Sequence, residues 1–182
     1  MSYNAPVQLH RGNLFLVGLP GAGKSTLGRQ LARRLGRRFV DADHELERRL
    51  GVSIPTIFEI EGEAVFRDRE EAVIADLTAE KDVVLATGGG AVLRPANRER
   101  LRANGTVVYL HAEPETLNAR VGRSKHRPLL NVSDPFARLR ELYAQRDPLY
   151  REVADCVVGS DRDAIARFIA QIEAAQRAVA RP

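Results

Sequence analysis

Residues 18–26 read GLPGAGKST and match a phosphate-binding pattern in which glycines precede a Lys and a Ser or Thr. The glycines let the backbone curl so that successive N–H groups face one point, and the following helix directs its positive end there. The Lys side chain would reach the β- and γ-phosphates of a nucleotide, and the Ser hydroxyl would ligate Mg²⁺. The predicted nucleotide contacts are Gly21, Ala22, Gly23, Lys24, Ser25 and Thr26.

The positively charged residues are unevenly divided, since 25 of the 28 are Arg and only Lys24, Lys81 and Lys125 are Lys. In such a chain, a Lys in the loop indicates that a compact, three-donor charge is needed rather than a planar guanidinium. The net charge of +4 and the pI of 9.6 fit a nucleic-acid binder or an enzyme with polyanionic substrates. Charge by itself does not choose between the two.

Two carboxylates, Asp41 and Asp43, follow a predicted strand directly. In an extended chain they would leave the same side of the strand, at the carboxyl end where open α/β sheets bind ligands. One could hold Mg²⁺ through water while the other hydrogen-bonds an acceptor hydroxyl and takes its proton. The alternative is that Asp43 only caps the next helix.

The glycines Gly88, Gly89 and Gly90 close another predicted strand. They imply either a close approach between backbone and ligand or a tight turn alone. Many P-loop enzymes end this strand with an Asp that helps to hold Mg²⁺, and no Asp occurs at this point. That favours Asp41 as the second metal-binding residue, beside Ser25.

Among the arginines, Arg127 lies in a polar, basic segment, 122–134, whose composition suggests a lid that closes over a phosphoryl group. Arg67 and Arg146 lie in helical segments and could face an acceptor pocket or solvent. Aromatic residues make up only 5% of the chain, so stacking on nucleic-acid bases has little support. The scattered histidines and the lone Cys156 form no zinc-binding spacing.

Five short runs of branched apolar residues alternate with helical stretches, which predicts a parallel sheet covered on both faces. The predicted strands are 14–17, 38–40, 83–86, 107–110 and 156–158, and the predicted helices are 24–35, 43–50, 63–79, 95–103, 114–121, 135–150 and 161–178. Ile165, Phe168, Ile169 and Ile172 give the last helix an apolar stripe that should face the core. Residues 51–62 are interpreted as a short insertion, which should be mobile.

The chain of 182 residues is about one domain long, so we expect residues 13–182 to form a single domain after a flexible arm at 1–12. No apolar run is long enough to span a membrane, and the N-terminus lacks a secretory signal. A cytoplasmic protein with no membrane partner is the expectation.

Taken together, these motifs resemble the shikimate kinase family. The matching segments are GLPGAGKST at 18–26, Asp41-x-Asp43, GEAVFRDRE at 62–70, GGGA at 88–91, RPLL at 127–130 and RDPLY at 146–150. The loop alone is common to many NTPases, but the combined set, in the same order and at similar spacing over about residues 13–172, is highly specific.

The resemblance implies a P-loop, nucleoside-monophosphate-kinase-like α/β fold of three layers. Its five-stranded parallel sheet has the order 2-3-1-4-5, with a shikimate-binding subdomain at about residues 43–75. It implies transfer of the γ-phosphoryl of Mg-ATP to the 3-hydroxyl of shikimate, a step towards the aromatic amino acids, by a monomer.

Carried over by position, the shikimate contacts are Asp43, Arg67, Gly88, Gly89, Gly90 and Arg146, and the catalytic residues are Lys24, Asp43 and Arg127. Arg120 and Arg162 correspond to positions near the adenine, and Arg127 to a lid arginine that touches phosphate and substrate. An Arg pair suits the carboxylate of a small triol acid. The alternatives are another small-metabolite kinase such as a gluconate kinase, a nucleotide-dependent binding protein or, third, a nucleic-acid binder.

Overall fold

The computed structural model describes residues 12–121 and 132–179 of the chain. The strands are β1 (Asn13–Val17), β2 (Arg38–Asp41), β3 (Val83–Ala86), β4 (Gly105–His111) and β5 (Cys156–Gly159). The helices are α1 (Lys24–Leu35), α2 (Ala42–Leu50), α3 (Ile54–Ile60), α4 (Gly62–Ala79), α5 (Pro95–Asn104), α6 (Pro114–Val121), α7 (Pro135–Val153) and α8 (Arg162–Val179). A 3₁₀ turn, Ala91–Leu93, follows β3.

The five strands form one sheet in the order β2-β3-β1-β4-β5, and each neighbouring pair is parallel. This confirms the predicted architecture and strand order. All five residues of β1 are buried at the centre of the sheet, as expected where helices cover both faces. The carboxyl ends of β1, β2 and β3 therefore lie side by side at one edge, where each strand leads into a segment that carries predicted site residues.

The last helix packs as its sequence predicts. Phe168, Ile169 and Ile172 are buried and Ile165 is partly buried against the core, so the apolar stripe of α8 faces inward. Within the described ranges, no helix combines the length and the apolar character that crossing a membrane requires.

The predicted insertion at residues 51–62 is wrong in one respect, because it contains the helix α3. Ser53 caps this helix, its hydroxyl accepting from the Thr56 N–H at 3.4 Å, and Pro55 lies in the first turn, where it has no N–H to satisfy. Seven residues are too few for a clear helical period, so local capping rather than periodicity marks this element.

Most of the predicted lid, residues 122–131, and residues 1–11 of the predicted arm lie outside the described residues. The described chain resumes just before α7, which Asp134 caps by accepting from the Ala137 N–H at 2.9 Å.

Candidate active site

The loop between β1 and α1 has the backbone that a phosphate cradle needs. Gly18, Gly21 and Gly23 have φ of 145°, 88° and 100°, conformations that other residues rarely adopt. Gly18 also lies so close to β4 that a Cβ would sit 2.6 Å from the Leu110 carbonyl oxygen. The helix begins at Lys24, so its N-terminal N–H groups point towards the loop.

The Lys24 ammonium lies within the loop. Its Nζ donates to the carbonyl oxygens of Gly18 at 2.7 Å and Leu19 at 3.1 Å. Ala22, a predicted nucleotide contact, is buried, and it does not line the cavity described below. The lysine is thus placed where an incoming polyphosphate would meet a fixed positive charge.

Ser25 and Asp41, the two predicted metal-binding residues, are in direct contact. The Ser25 hydroxyl donates to Asp41 Oδ2 at 2.5 Å. Hydroxyl and carboxylate oxygens are the ligands that Mg²⁺ prefers, and they lie at the mouth of the phosphate loop, so the pair fits this ion.

Asp41, rather than Asp43, caps α2. Its Oδ1 accepts from the N–H groups of Asp43 at 3.1 Å and His44 at 3.4 Å. Asp43 therefore lies in the first helical turn, not in an extended segment beside Asp41, and the alternative that it serves only as a cap is wrong. Its carboxylate remains available to the cavity described next.

A cavity of about 890 Å³ extends from the phosphate loop to the helices α2, α3, α4 and α7. Predicted site residues on the phosphate side of its lining are Gly21, Gly23, Lys24, Ser25, Thr26 and Asp41. Those on the acceptor side are Asp43, Arg67, Gly88, Gly89, Gly90 and Arg146. The fold thus joins the two groups of residues in one space.

Arg67, on α4, is 6% exposed and held by two carboxylates. Its Nη1 donates to Glu70 Oε2 at 2.7 Å and its Nη2 to Glu63 Oε1 at 2.9 Å. Its guanidinium also lies over the Phe66 ring, with Cζ 4.9 Å from the centroid. Burial lowers the pKa of Arg67, but the two glutamates outweigh that effect and leave it raised, so the side chain stays charged.

Arg146, on α7, is a buried cation with unused donors. It is 2% exposed, and within the described part of the chain its Nε and Nη1 have no hydrogen-bond partner. Burial lowers the pKa of Arg146, and the positive charge of Arg67 lowers it further. Two buried cations in one cavity, one of them with unused donors, favour an anionic ligand, because a carboxylate would satisfy the Arg146 donors and offset the repulsion between the two cations.

The three glycines after β3 bring the backbone into contact with the acceptor-side residues. A Cβ on Gly90 would overlap the Arg67 guanidinium, and one on Gly88 would overlap Glu70 Oε1 and lie 2.7 Å from Asp43 Oδ1. A Cβ on Gly89 would lie 2.7 Å from Pro20 Cδ of the phosphate loop. The three glycines are therefore required by close packing against side chains of the site itself, whereas the sequence predicted an approach to a ligand or a tight turn alone.

Asp43 has the protonation behaviour of a group poised to accept a proton. Its pKa is raised from 3.8 to about 6, first by burial and then by the charges of Glu70 and Asp41, against the opposing charge of Lys24. A carboxylate with a pKa near 6 is ionised at neutral pH, yet it is a stronger base than an exposed Asp.

Arg120 and Arg162 line a second cavity, of about 610 Å³, which is bordered by α1 and α8. Arg120 is held there by Ser160, to whose hydroxyl and carbonyl oxygens it donates at 3.0 Å each. These two arginines are therefore not brought into the main cavity. Gln30, also on the border of this second cavity, follows Thr26 of the main cavity by one turn of α1.

A family model for shikimate kinase matches residues 20–176 of the chain. The chain is 62% identical over 156 residues to a shikimate kinase of Thiobacillus denitrificans, an alignment that covers 86% of this chain and 85% of the relative. The chain belongs to the shikimate kinase family.

Solved structures agree with this membership. A shikimate kinase from Acinetobacter baumannii, solved in complex with shikimate, has a TM-score of 0.86 and 47% identity, covering 94% of this chain and 96% of its own. A gluconokinase from Sinorhizobium meliloti has a TM-score of 0.55 and 18% identity, covering 93% and 94%. At that identity the likeness shows a common fold and nothing of the acceptor.

Apart from Arg127, which lies outside the described residues, every predicted site residue has a described position. The motif of residues 62–70 includes Phe66 and Glu70, to which sequence reasoning gave no role. Both line the cavity of this shikimate kinase family member, and Phe58 on α3 does so as well. Phe58 and Phe66 are in ring contact, with centroids 4.6 Å apart. The sequence signal for Glu70 was its position three residues after Arg67, which allows an ion pair on one helix face but does not indicate its closeness to Asp43.

Proposed function

We propose that this chain transfers the γ-phosphoryl of Mg-ATP to the 3-hydroxyl of shikimate, yielding shikimate 3-phosphate and ADP. The observation that carries the proposal is the pair of buried guanidiniums, Arg67 and Arg146, in the same cavity as the phosphate loop. They suit a small acceptor that presents a carboxylate at one end and a hydroxyl at the other.

The carboxylate of the acceptor binds at the deep end of the cavity. Arg146 supplies its unused Nε and Nη1 donors, and Arg67, already oriented by Glu63 and Glu70, supplies a second charge. The backbone of Gly88, Gly89 and Gly90 lines the cavity beside the ring of the acceptor, and because it carries no side chains, Asp43 and Arg67 can pack against it. The apolar rings of Phe58 and Phe66 line the cavity close by.

The hydroxyl of the acceptor lies at Asp43. This carboxylate orients the hydroxyl and accepts its proton as the oxygen attacks the γ-phosphorus, while the bond from that phosphorus to the bridging oxygen of ADP breaks. A pKa near 6 leaves Asp43 ionised at neutral pH and able to take the proton in the transition state.

The phosphates lie in the loop, where backbone N–H groups and Lys24 hold them. Ser25 and Asp41 would hold Mg²⁺, which when bound neutralises charge on the phosphate oxygens. We assign Arg127 to the closing segment over the phosphoryl group, and Arg120 and Arg162 to the base of the nucleotide, on the resemblance to the family.

The direct test is a coupled assay of ADP release with purified protein, Mg-ATP and a panel of acceptors that includes shikimate and gluconate. We expect turnover that depends on shikimate, with little release of ADP when shikimate is omitted. Turnover with gluconate instead would identify a gluconate kinase, and slow hydrolysis that no acceptor alters would identify a nucleotide-dependent binding protein.

A further inference from the structure

The motif RDPLY at 146–150 ends in a tyrosine that neither the phosphate chemistry nor the acceptor contacts explain. Tyr150 lies in the last turn of α7 and is completely buried. Its ring stacks on Tyr109 of β4, with centroids 4.9 Å apart and planes at 30°. A residue needed only to fill this space could be a phenylalanine, so the hydroxyl requires a separate explanation.

The Tyr150 hydroxyl contacts two elements of the acceptor side at once. It donates a hydrogen bond to the carbonyl oxygen of Gly89, 61 residues away in the sequence. Its oxygen also interacts with the Arg146 guanidinium, one helical turn earlier in α7. Burial raises the pKa of Tyr150, an effect that the charge of Arg146 only partly opposes, so the hydroxyl keeps its proton and remains a donor at working pH.

The bond to Gly89 fixes more than one atom. A peptide unit is planar and, among the described residues, always trans, so fixing the Gly89 carbonyl oxygen also fixes the direction of the Gly90 N–H on the opposite side. Gly90 packs directly against the Arg67 guanidinium. One hydroxyl is thus connected to the glycine backbone, to Arg146 and, through Gly90, to the position of Arg67.

Tyr150 is itself held in place by its stacked neighbour. The Tyr109 hydroxyl donates to Asp147 Oδ1 at 2.8 Å, and Asp147 Oδ2 accepts from Arg151 Nε at 2.8 Å. Asp147 and Arg151 flank Tyr150 on the same helix, so the Tyr109 ring is tied to α7 on both sides of the residue it stacks on. This arrangement leaves the Tyr150 ring little freedom to turn its hydroxyl away.

We propose that Tyr150 is a positioning residue for the acceptor carboxylate: its hydroxyl sets the Gly88–Gly90 backbone and the Arg146 guanidinium at the spacing that the carboxylate needs. The inference rests on the proposed function, in which Arg67 and Arg146 bind that carboxylate. Tyr150 acts through these groups and takes no part in proton or phosphoryl transfer.

The test is Tyr150→Phe, which keeps the stacked ring and removes only the hydroxyl. Leaving the Gly89 carbonyl without its Tyr150 partner and Arg146 less constrained should raise the shikimate KM about 5- to 30-fold. The ATP KM, and kcat at saturating shikimate, should each stay within about threefold of the wild type. Tyr143→Phe is the matched control, because Tyr143 is also on α7 and its hydroxyl contacts His111 Nε2 at 2.9 Å, away from the glycines.

A double-mutant cycle separates positioning from general stability. If Tyr150 acts through Arg146, then Tyr150→Phe should weaken shikimate binding much less in an Arg146→Ala background than in the wild type. A shikimate KM unchanged by Tyr150→Phe, or raised equally by Tyr143→Phe, would overturn the inference. So would equal effects of Tyr150→Phe in both backgrounds.

Shikimate affinity is also measured by titration calorimetry, so that binding does not depend on turnover. If Tyr150→Phe is partly unfolded at the assay temperature, both proteins are titrated in trimethylamine N-oxide, which favours the compact state. Absence of shikimate turnover and binding in the wild type would refute the proposed function, whereas normal wild-type behaviour with an unaltered Tyr150→Phe variant would refute only the role of Tyr150.

Discussion

The carboxyl groups of Asp43 and Glu70 both lie against the backbone of Gly88. A Cβ on Gly88 would overlap Glu70 Oε1 and lie 2.7 Å from Asp43 Oδ1. Glu70 Oε2 is engaged by Arg67, and its Oε1 is buried with no hydrogen-bond partner among the described residues. Burial and the charge of Glu70 are the two largest causes of the raised pKa of Asp43. The pair therefore links the carboxylate-binding arginine to the proposed proton acceptor.

The first prediction concerns the pH dependence of turnover. If Asp43 accepts the hydroxyl proton, kcat/KM for shikimate should fall below a midpoint near the pKa of about 6, approaching tenfold per pH unit. This ratio reports the form of the enzyme that meets shikimate, before the acceptor covers Asp43. A pH profile with constant ionic strength and saturating Mg-ATP checks it, and a flat profile down to about pH 5 would exclude Asp43 as the base.

Glu70→Gln should move that midpoint to lower pH. The substitution removes a negative charge that raises the pKa of Asp43 and leaves the Arg67 charge less neutralised, and both changes favour the ionised form of Asp43. A shift of about half a pH unit or more is expected. Glu71→Gln is the control, since Glu71 pairs with Arg100 at 3.2 Å and does not line the cavity. An unmoved midpoint in Glu70→Gln, with acid-dependent turnover intact, would contradict the coupling.

The same pKa predicts how Asp43 affects folding. Because the pKa in the folded state is raised above the ordinary 3.8, Asp43 contributes stability that is fully present below that value and is lost as pH rises through about 6. At about pH 8 the fold carries a partly buried, ionised carboxylate beside the negative charges of Glu70 and Asp41, and Asp43→Asn would remove its charge. We expect Asp43→Asn to raise the Tm by a few degrees at about pH 8 and hardly at all at about pH 4.

Thermal denaturation without ligands checks this dependence. Asp76→Asn serves as the control because Asp76 is exposed, with its carboxylate paired to Arg49 at 2.5 Å. If Asp43→Asn raised the Tm equally at both pH values, the charge of Asp43 would not be the cause of the increase.

The fold and a candidate phosphate loop could be predicted from the sequence because parallel-sheet packing and phosphate binding both leave local signals. Two patterns can be recognised in the sequence without knowledge of long-range contacts. They are the glycines before Lys24, which have positive φ, and the apolar runs that form the buried strands. Asp41 shows the limit of that reasoning, since the two-residue spacing predicted that Asp41 and Asp43 leave the same side of an extended chain. The chain turns into α2 directly after Asp41, so Asp41 caps that helix and Asp43 lies in its first turn, although both line the cavity.

Residues that act through contacts distant in sequence could not be assigned from spacing. The hydroxyl of Tyr150 finds its partner only when α7 packs against the Gly88–Gly90 segment. Glu70 comes close to Asp43 only when α4 packs beside α2. The helix α3 was missed for a different reason, since it is short and stabilised by its cap and by packing rather than by a visible period.

Asp41→Asn should weaken the binding of Mg²⁺ without destabilising α2. An Asn side chain can still cap the helix through its single oxygen, with its amide nitrogen donating to the Ser25 hydroxyl, but it removes the charge that a divalent cation needs. The Mg²⁺ concentration for half-maximal rate should rise about tenfold or more, while the Tm changes by less than about 2 °C. Asp68→Asn, at an exposed carboxylate paired with Arg94 at 2.6 Å, is the control. An unaltered Mg²⁺ dependence would remove Asp41 from the metal site.

Arg67→Lys should separate the acceptor from the nucleotide. Lysine keeps the positive charge but cannot contact Glu70, Glu63 and a ligand carboxylate with one planar group. Losing that geometry should raise the shikimate KM about 10- to 100-fold, and the ATP KM should stay within about twofold, because the phosphate loop is untouched. Steady-state kinetics with each substrate varied in turn makes the measurement.

The matched control for that experiment is Arg69→Lys, two residues along the same helix. Arg69 pairs with Glu61 at 2.6 Å and does not line the cavity, so the same chemical change should leave both KM values alone. If Arg67→Lys also leaves the shikimate KM unchanged, the carboxylate does not bind at Arg67. If it raises the ATP KM as much as the shikimate KM, Arg67 acts on the whole cavity rather than on the acceptor.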